Sequence, residues 1–239
     1  IRAGMEAIIR EAGAFDALII GDIPAKDRNE LLKKCFEEDI RTYTVPKLSD
    51  ILIRTSEELD IFDSPLLLSR NEGISGGQRF VKRAIDLFFS GLGIVVLSPF
   101  FLLVALSIYL TDRGPVFYKQ TRLTKDGKEF GVLKFRSMKV NAEKDGVARL
   151  SSGENDPRIT PVGRIIRKCR IDELPQLLNI IKGDMTIVGP RPERPSIAAD
   201  YEKVMPEFHL RLQAKAGLTG YAQVYGKYNT TPYDKLLMD

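Results

Sequence analysis

The chain has 239 residues, is 44% hydrophobic and carries a net charge of +4, with two cysteines and one histidine. It can bury a sizeable core in one large domain or two modest ones. Cys35 and Cys169 are too few for a disulfide framework or a zinc site and point to a reducing compartment, and a lone His209 excludes schemes that need two imidazoles. Charge is uneven. Residues 1–72 hold 10 Lys/Arg against 15 Asp/Glu, whereas residues 73–239 hold 26 against 17. The second part therefore suits a polyanion, whether nucleic acid, anionic lipid or a phosphorylated small substrate. A start at Ile1 rather than Met, with no signal-peptide pattern, suggests a piece of a longer protein.

In chain order, a helical pattern up to about Gly13 precedes DALIIGD, an apolar run closed by Gly21 that predicts a buried strand. AKDRNELLKKCFEED places Leu31, Leu32, Cys35 and Phe36 on one helical face, and IRTYTV predicts another strand. This αβαβ series is the grammar of a parallel sheet covered by helices. It lacks a GxGxxG phosphate loop, so a regulatory or structural role is expected of it. RNEGISGGQ, residues 70–78, is polar and glycine-rich and predicts a linker.

Leu87–Leu110 follows without one charge. As a straight helix it would reach about 36 Å, enough for a hydrocarbon core of about 30 Å. Ser98-Pro99 at its middle predicts a sharp bend. Both flanks are basic, with Arg79, Lys82 and Arg83 before the run and Arg113, Lys119, Arg122 and Lys125 after it. A spanning helix concentrates its positive charge on the cytoplasmic side, so the expectation is a helix that enters, breaks and returns, over a full span or a soluble core helix. Asp86 at the entrance is expected to pair with Lys82 or Arg83.

GPVFYKQTRLTKDGKEFGVLKFRSM predicts a β-hairpin turning at Lys125–Lys128. Residues 141–157 predict a polar loop. In TPVGRIIRKCR, Thr160 is an N-cap and Pro161 the first helical residue. Val162, Ile165, Ile166 and Cys169 form the apolar stripe, with Cys169 expected in the core, and Arg164, Arg167 and Lys168 face lipid or phosphate. In DELPQLLNII, Leu174, Leu177, Leu178 and Ile181 recur as one buried face. Pro175 is tolerable only in a first turn, so the helix is expected to begin near Asp172. Asp172 and Glu173 then either cap the helix, for about 1 kcal/mol, or stand beside phosphate held by that end and by Arg158, Arg164, Arg167 and Arg170, where a carboxylate can attack phosphorus.

From Arg79 to Asp239 the chain closely resembles the bacterial sugar transferases, the monotopic phosphoglycosyl transferases. The resemblance lies in KRAIDL, LSP, GPVFYKQTR, LKFRSM, DPRITPVGRIIRKCRIDELPQLLNIIKGDMTIVGPRPE and GLTGYAQV, all in order. It implies transfer of a sugar 1-phosphate, often a hexose 1-phosphate (glucose or galactose) in longer members, from a UDP-sugar to undecaprenyl phosphate with release of UMP. Asp172 would attack the sugar-bearing phosphorus and form a covalent phosphosugar-aspartate intermediate, assisted by Glu173, and both would hold Mg²⁺. Lys134, Arg158 and Arg167 would line the polar site and Arg191 of GPRP the nucleotide loop. Lys227 stands where some members carry arginine, which makes a less directional phosphate contact.

The architecture this implies is an α/β, membrane-associated monotopic catalytic domain over 79–239, with a re-entrant helix at about 84–110, on the cytoplasmic face of the bacterial inner membrane. A partial Rossmann-like α/β module over 1–69 precedes it, and this acidic segment offers a surface for a homo-oligomer. A non-catalytic membrane-bound scaffold for polysaccharide assembly is the alternative. Nucleic acid is not expected, because the basic stretches lack tryptophan and interleaved aromatics.

Overall fold

The alternating pattern at the start of the chain folds as α1 (Arg2–Ala12), β1 (Leu18–Ile20), α2 (Ala25–Glu37) and β2 (Thr42–Thr44). The computed structural model describes residues 2–61, 64–70, 73–140, 142, 156–226 and 231–239. They fall into two compact units, Ile1–Asn71 and Glu72–Asp239. In the first, β1 and β2 pair in parallel from Leu18↔Thr42 to Ile20↔Thr44, giving one βαβ unit of the expected kind, common to many α/β folds. Helix α3 (Leu48–Arg54) and an antiparallel hairpin of β3 (Glu57–Ile61) and β4 (Ser64–Leu68) follow.

Ile20, Leu31 and Cys35 form the core of this unit. Phe36 does not join it and is 88% exposed. The buried residues of α2 are Arg28, Leu31 and Cys35, an i, i+3, i+7 row, and Phe36 lies about 100° round the helix from Cys35. Arg28 is buried because its guanidinium is paired with Asp50, which also accepts the Lys47 N–H at 2.7 Å.

The second unit opens with α4 (Gly76–Asp112), 37 residues long. It begins inside the stretch expected to be a linker, because Ser75 and Gln78 form a capping box: the Gln78 N–H donates to Ser75 Oγ at 3.3 Å and the Ser75 N–H to Gln78 Oε1 at 2.9 Å. The helical structure is continuous across Pro99. Proline cannot donate to the carbonyl four residues back, but the Ser98 hydroxyl donates to Val95 O at 2.8 Å and occupies the acceptor that Pro99 leaves free.

One stripe of α4 packs on the domain, with Asp86, Ser90, Val104 and Ile108 buried and Ile94 and Phe101 partly so. The rest is exposed and apolar: only 11% of its most hydrophobic 18-residue window is buried, and the helix is long and apolar enough to cross a membrane. Asp86 does not pair with Lys82 or Arg83. It accepts the Thr186 hydroxyl at 2.7 Å and the Ile187 N–H at 3.0 Å, while Arg83 donates to Ile180 O and Ile181 O and Lys82 to Val188 O. Backbone groups at element ends lie closer to all three side chains than they do to one another.

The predicted hairpin is β5 (Phe117–Leu123) and β6 (Glu129–Phe135), paired from Phe117↔Phe135 to Leu123↔Glu129. Its turn takes Asp126 and Gly127 to φ 59° and 70°, the conformation that Asp-Gly favours. Apart from Ala142, Asp156 and Pro157, the loop expected over 141–157 lies outside the described residues.

Then come α5 (Pro161–Lys168), α6 (Gln176–Lys182), β7 (Thr186–Val188), α7 (Pro195–Val204), a 3₁₀ stretch Pro206–Gln213, β8 (Gly217–Thr219), α8 (Tyr221–Tyr225) and α9 (Pro232–Met238). Thr160 caps α5, accepting the Gly163 N–H at 2.9 Å. Ile166 is buried and Val162 packs beside it, but Ile165 and Cys169 are exposed. Helix α5 has only two turns, and Cys169 falls at its C-cap, beyond the packed stripe.

Strands β7 and β8 pair in parallel. A Cβ on Gly217 would come within 2.2 Å of Gly189 N, so only glycine permits this approach. Phe130, Val132, Leu177, Ile180, Met185 and Ala216 form the main core.

In α6 the buried residues are Gln176, Leu177, Asn179 and Ile180, whereas Leu178 and Ile181 of the predicted face are exposed. The burial pattern is turned by polar docking. Asn179 Oδ1 accepts the Leu133 N–H at 2.9 Å and its Nδ2 donates to Gly131 O at 2.8 Å, so the side chain pairs with the free edge of β6 as a strand would. Asn179→Leu leaves a buried donor and acceptor unpaired and is expected to cost about 3 kcal/mol, read as a drop in the midpoint of urea unfolding.

Candidate active site

Helix α5 ends when the Cys169 and Arg170 N–H groups bond Ile165 O and Arg167 O. Arg170 then adopts φ 54°, ψ 21°, a left-handed conformation costing a side-chain-bearing residue about 1 kcal/mol, and turns the chain into a 3₁₀ turn, Ile171–Glu173. Pro175 has no N–H for Ile171 O, and the Leu174 N–H takes that carbonyl at 3.1 Å. Helix α6 therefore starts at Gln176, and Asp172 and Glu173 occupy a turn of their own. This corrects the expectation that they begin the helix. Ile171, packed beside Ile166 and Phe135, anchors the turn from below.

Strand β6 and the loop after β7 bring cations to it. Lys134 Nζ donates to Glu173 Oε1 at 2.7 Å and Arg191 Nη2 to the same oxygen at 3.0 Å, while Arg191 Nη1 donates to Gln223 Oε1 at 2.9 Å. Burial would push the Glu173 carboxyl up, but the charges and hydrogen bonds of Arg191 and Lys134 outweigh it and hold the group at about 2. Asp172 makes no ion pair among the described residues. Burial raises its carboxyl above the usual aspartate value, Lys134 opposes the rise, the Glu173 charge adds to it, and Arg167 opposes it. Burial also lowers Lys134, against the pull of Glu173. The two neighbouring carboxylates are thus driven apart, the pattern that separates chemical roles in a site. Glu173 is a fixed anion that holds two cations; Asp172 is the more basic and is held by no ion pair among the described residues.

Of the sequence-predicted residues, the structure gathers Glu173, Lys134 and Arg191 by contact, and Asp172 and Arg167 by the fields that join Asp172 to Lys134, Glu173 and Arg167. Arg158 is engaged elsewhere, its Nε and Nη2 donating to the two oxygens of buried Asp156 at 2.9 and 2.6 Å. Lys227 lies outside the described residues. Gln223, which orients Arg191, and Asn179, which docks α6, escaped sequence reasoning. A lone asparagine inside LLNII was the one available signal.

Among the described residues no cluster of three or more His, Cys, Asp or Glu could hold a metal. Mg²⁺, however, needs only one or two carboxylates besides water and phosphate oxygens. Asp172, with the Glu173 oxygen that Lys134 and Arg191 leave free, fits that donor set.

Because the Glu173 carboxyl is depressed from 4.5 to about 2, its contribution to stability is full above pH 4.5 and fades as pH falls towards 2. The melting temperature, measured with chelator present, is expected to fall across this window by more in the native chain than in Glu173→Gln.

The family described as bacterial sugar transferase matches residues 77–239. The chain is 41% identical over 166 residues to a UDP-glucose:undecaprenyl-phosphate glucose-1-phosphate transferase of Escherichia coli (strain K12), covering 70% of this chain and 34% of the relative. It is 47% identical over 150 residues to the exopolysaccharide production protein PSS of Rhizobium leguminosarum bv. phaseoli, covering 61% and 74%. It is 43% identical over 132 residues to a putative undecaprenyl-phosphate N-acetylgalactosaminyl 1-phosphate transferase of Bacillus subtilis (strain 168), covering 55% and 73%. The chain thus spans about a third of the E. coli relative and about three quarters of the other two. With the family match extending from the first turn of α4 through the carboxylate pair to Asp239, the chain belongs to the bacterial sugar transferases.

Proposed function

We propose that this protein transfers a sugar 1-phosphate from a UDP-sugar to undecaprenyl phosphate through a phosphosugar-aspartate intermediate at Asp172. The observation that carries the reading is the division between the two carboxylates, with Glu173 held by Lys134 and Arg191 and Asp172 left without an ion pair. The activities for which the E. coli and B. subtilis relatives are named supply the substrate class.

In this mechanism an Asp172 oxygen attacks the sugar-bearing phosphorus, the bond from that phosphorus to the bridging oxygen breaks, and UMP leaves with the bond's electron pair. The lipid phosphate then attacks the same phosphorus and Asp172 departs as carboxylate. An anion approaching a pyrophosphate is repelled, and Lys134, Arg191 and Arg167 supply the opposing field. Arg158 and Lys227 are proposed for the phosphates of the bound substrates. Mg²⁺, held by Asp172 and Glu173, would neutralise phosphate charge when bound.

The monotopic placement, with α4 re-entrant at the cytoplasmic face of the inner membrane, is part of the same proposal. Arg83 and Asp86 before Pro99, and Asp112 after it through its ion pair with Arg136, all bond one domain. Asp86 and Asp112 lie about 39 Å apart along a helix, and a spanning helix would carry them to opposite sides of the bilayer. Bonding of both ends to a single domain supports a helix that enters and returns on one side of the bilayer, with its exposed apolar side in lipid.

The test is to incubate the protein with Mg²⁺ and UDP-glucose or UDP-N-acetylgalactosamine, without acceptor. The expected result is UMP release together with a sugar-phosphate mass gain on the peptide bearing Asp172, discharged when undecaprenyl phosphate is added. Liposome binding with no UMP from any UDP-sugar would overturn the proposal in favour of a scaffold.

A further inference from the structure

We propose that Arg211 is a positioning residue that acts through Arg191, fixing the main chain of the Pro190–Glu193 loop so that the Arg191 guanidinium reaches Glu173. The inference rests on the phosphotransfer reading above for its kinetic consequence, though not for its geometry.

The loop after β7 has no regular secondary structure of its own, yet every carbonyl along it is bonded. Pro190 O accepts the Gly217 N–H at 2.8 Å and Glu193 O the Leu123 N–H at 3.0 Å. Arg191 O accepts from Arg211 Nη2 at 3.2 Å and Pro192 O from Arg122 Nη1 at 3.0 Å. Two of the four donors are therefore side chains, and Arg211 bonds the residue whose own guanidinium meets Glu173.

Arg211 is itself immobilised. Its side chain is 4% exposed; Nε and Nη2 reach Asp239 Oδ2 at 2.7 and 2.5 Å; and its guanidinium carbon lies 4.8 Å from the centre of the Phe208 ring. Glu193 draws the surrounding cations together, with Lys235 at 3.4 Å, Arg122 at 3.8 Å and Arg211 at 4.0 Å. Behind the loop Glu193 and Asp239 offset most of the charge of Arg122, Arg211 and Lys235, and Arg191 is the member of the group directed at the carboxylate pair. A displacement of about 1 Å in a reacting constellation costs on the order of 100-fold in rate. Lysine cannot replace the fork, since one ammonium cannot keep both the Asp239 and Arg191 bonds in the same directions.

The experiment is a double-substitution cycle on the full chain in detergent, with Arg211→Lys and Arg191→Met, following UMP release and lipid product. Arg211→Lys is expected to lower kcat at least tenfold with KM for the UDP-sugar changed less than threefold, and to lower kcat less than twofold further in the Arg191→Met background. Losses that simply multiply would overturn the proposal, because residues acting independently show no coupling. If Arg211→Lys does not fold, Phe208→Leu, which removes the ring beneath the guanidinium, serves in the same cycle with the same expectations. Amide hydrogen exchange gives a reading independent of activity: Gly217 and Leu123 should exchange at least tenfold faster in the Arg211 or Phe208 variant, and unchanged exchange would overturn the clamp. A native chain that is inactive on every UDP-sugar would defeat the proposed function alone, with the exchange result still deciding the clamp.

Discussion

Asp172→Asn is expected to reduce sugar-phosphate transfer on the order of 10⁴-fold and to leave the melting temperature unchanged or slightly higher. The two halves of this result have one cause. Burial disfavours the Asp172 charge and no ion pair among the described residues compensates it, so a neutral isostere removes a cost to folding while removing the nucleophile. Functional sites hold such destabilised groups, and their loss often stabilises. Glu173→Gln should instead lower the melting temperature, because it strips Lys134 and Arg191 of a shared partner. Parallel assays of UMP release and thermal unfolding separate the two residues. Retention of more than a tenth of the native rate by Asp172→Asn would remove Asp172 from the reaction.

Lys134→Met is expected to lower kcat/KM by about 10²- to 10³-fold, the usual loss when one donor that stabilises developing anionic charge is deleted. Lys134 is the foremost opposing charge on Asp172 and also bonds Glu173. Removing it raises the Asp172 carboxyl further, so the acid limb of the rate profile should move to higher pH; the sign follows because a cation favours the ionised carboxylate. Profiles measured between pH 5 and 8 at saturating Mg²⁺ check this. An unshifted acid limb with an unchanged rate would show that Lys134 contributes packing alone.

Local chemistry was legible in the sequence. Thr160-Pro161 announces the start of α5 and Asp126-Gly127 the hairpin turn, since each acts on backbone within a few residues. The pair Asp172-Glu173 was also legible as a carboxylate site among cations. Its exact seating was not, because Pro175 closes a 3₁₀ turn and the face that α6 buries is set by Asn179 bonding β6, 46 and 48 residues away. Asp86 misled for a similar reason. Its nearest charges in sequence are Lys82 and Arg83, but its partners, Thr186 and Ile187, are about a hundred residues on. Arg211 drew no notice because its meaning lies in Arg191, Glu193 and Asp239, which only the folded loop assembles. At Pro99 the sequence signals a lost bond, and in the fold the Ser98 hydroxyl replaces it.

That replacement has a mechanical consequence. A hydroxyl one residue before Pro99 supplies the Val95 carbonyl with a donor, so the bond that proline removes leaves no bare dipole there. On the membrane placement proposed above, the anchor would adjust its slant at Ser98-Pro99 in bilayers of differing thickness, and that joint would set the elevation of the carboxylate pair above the lipid.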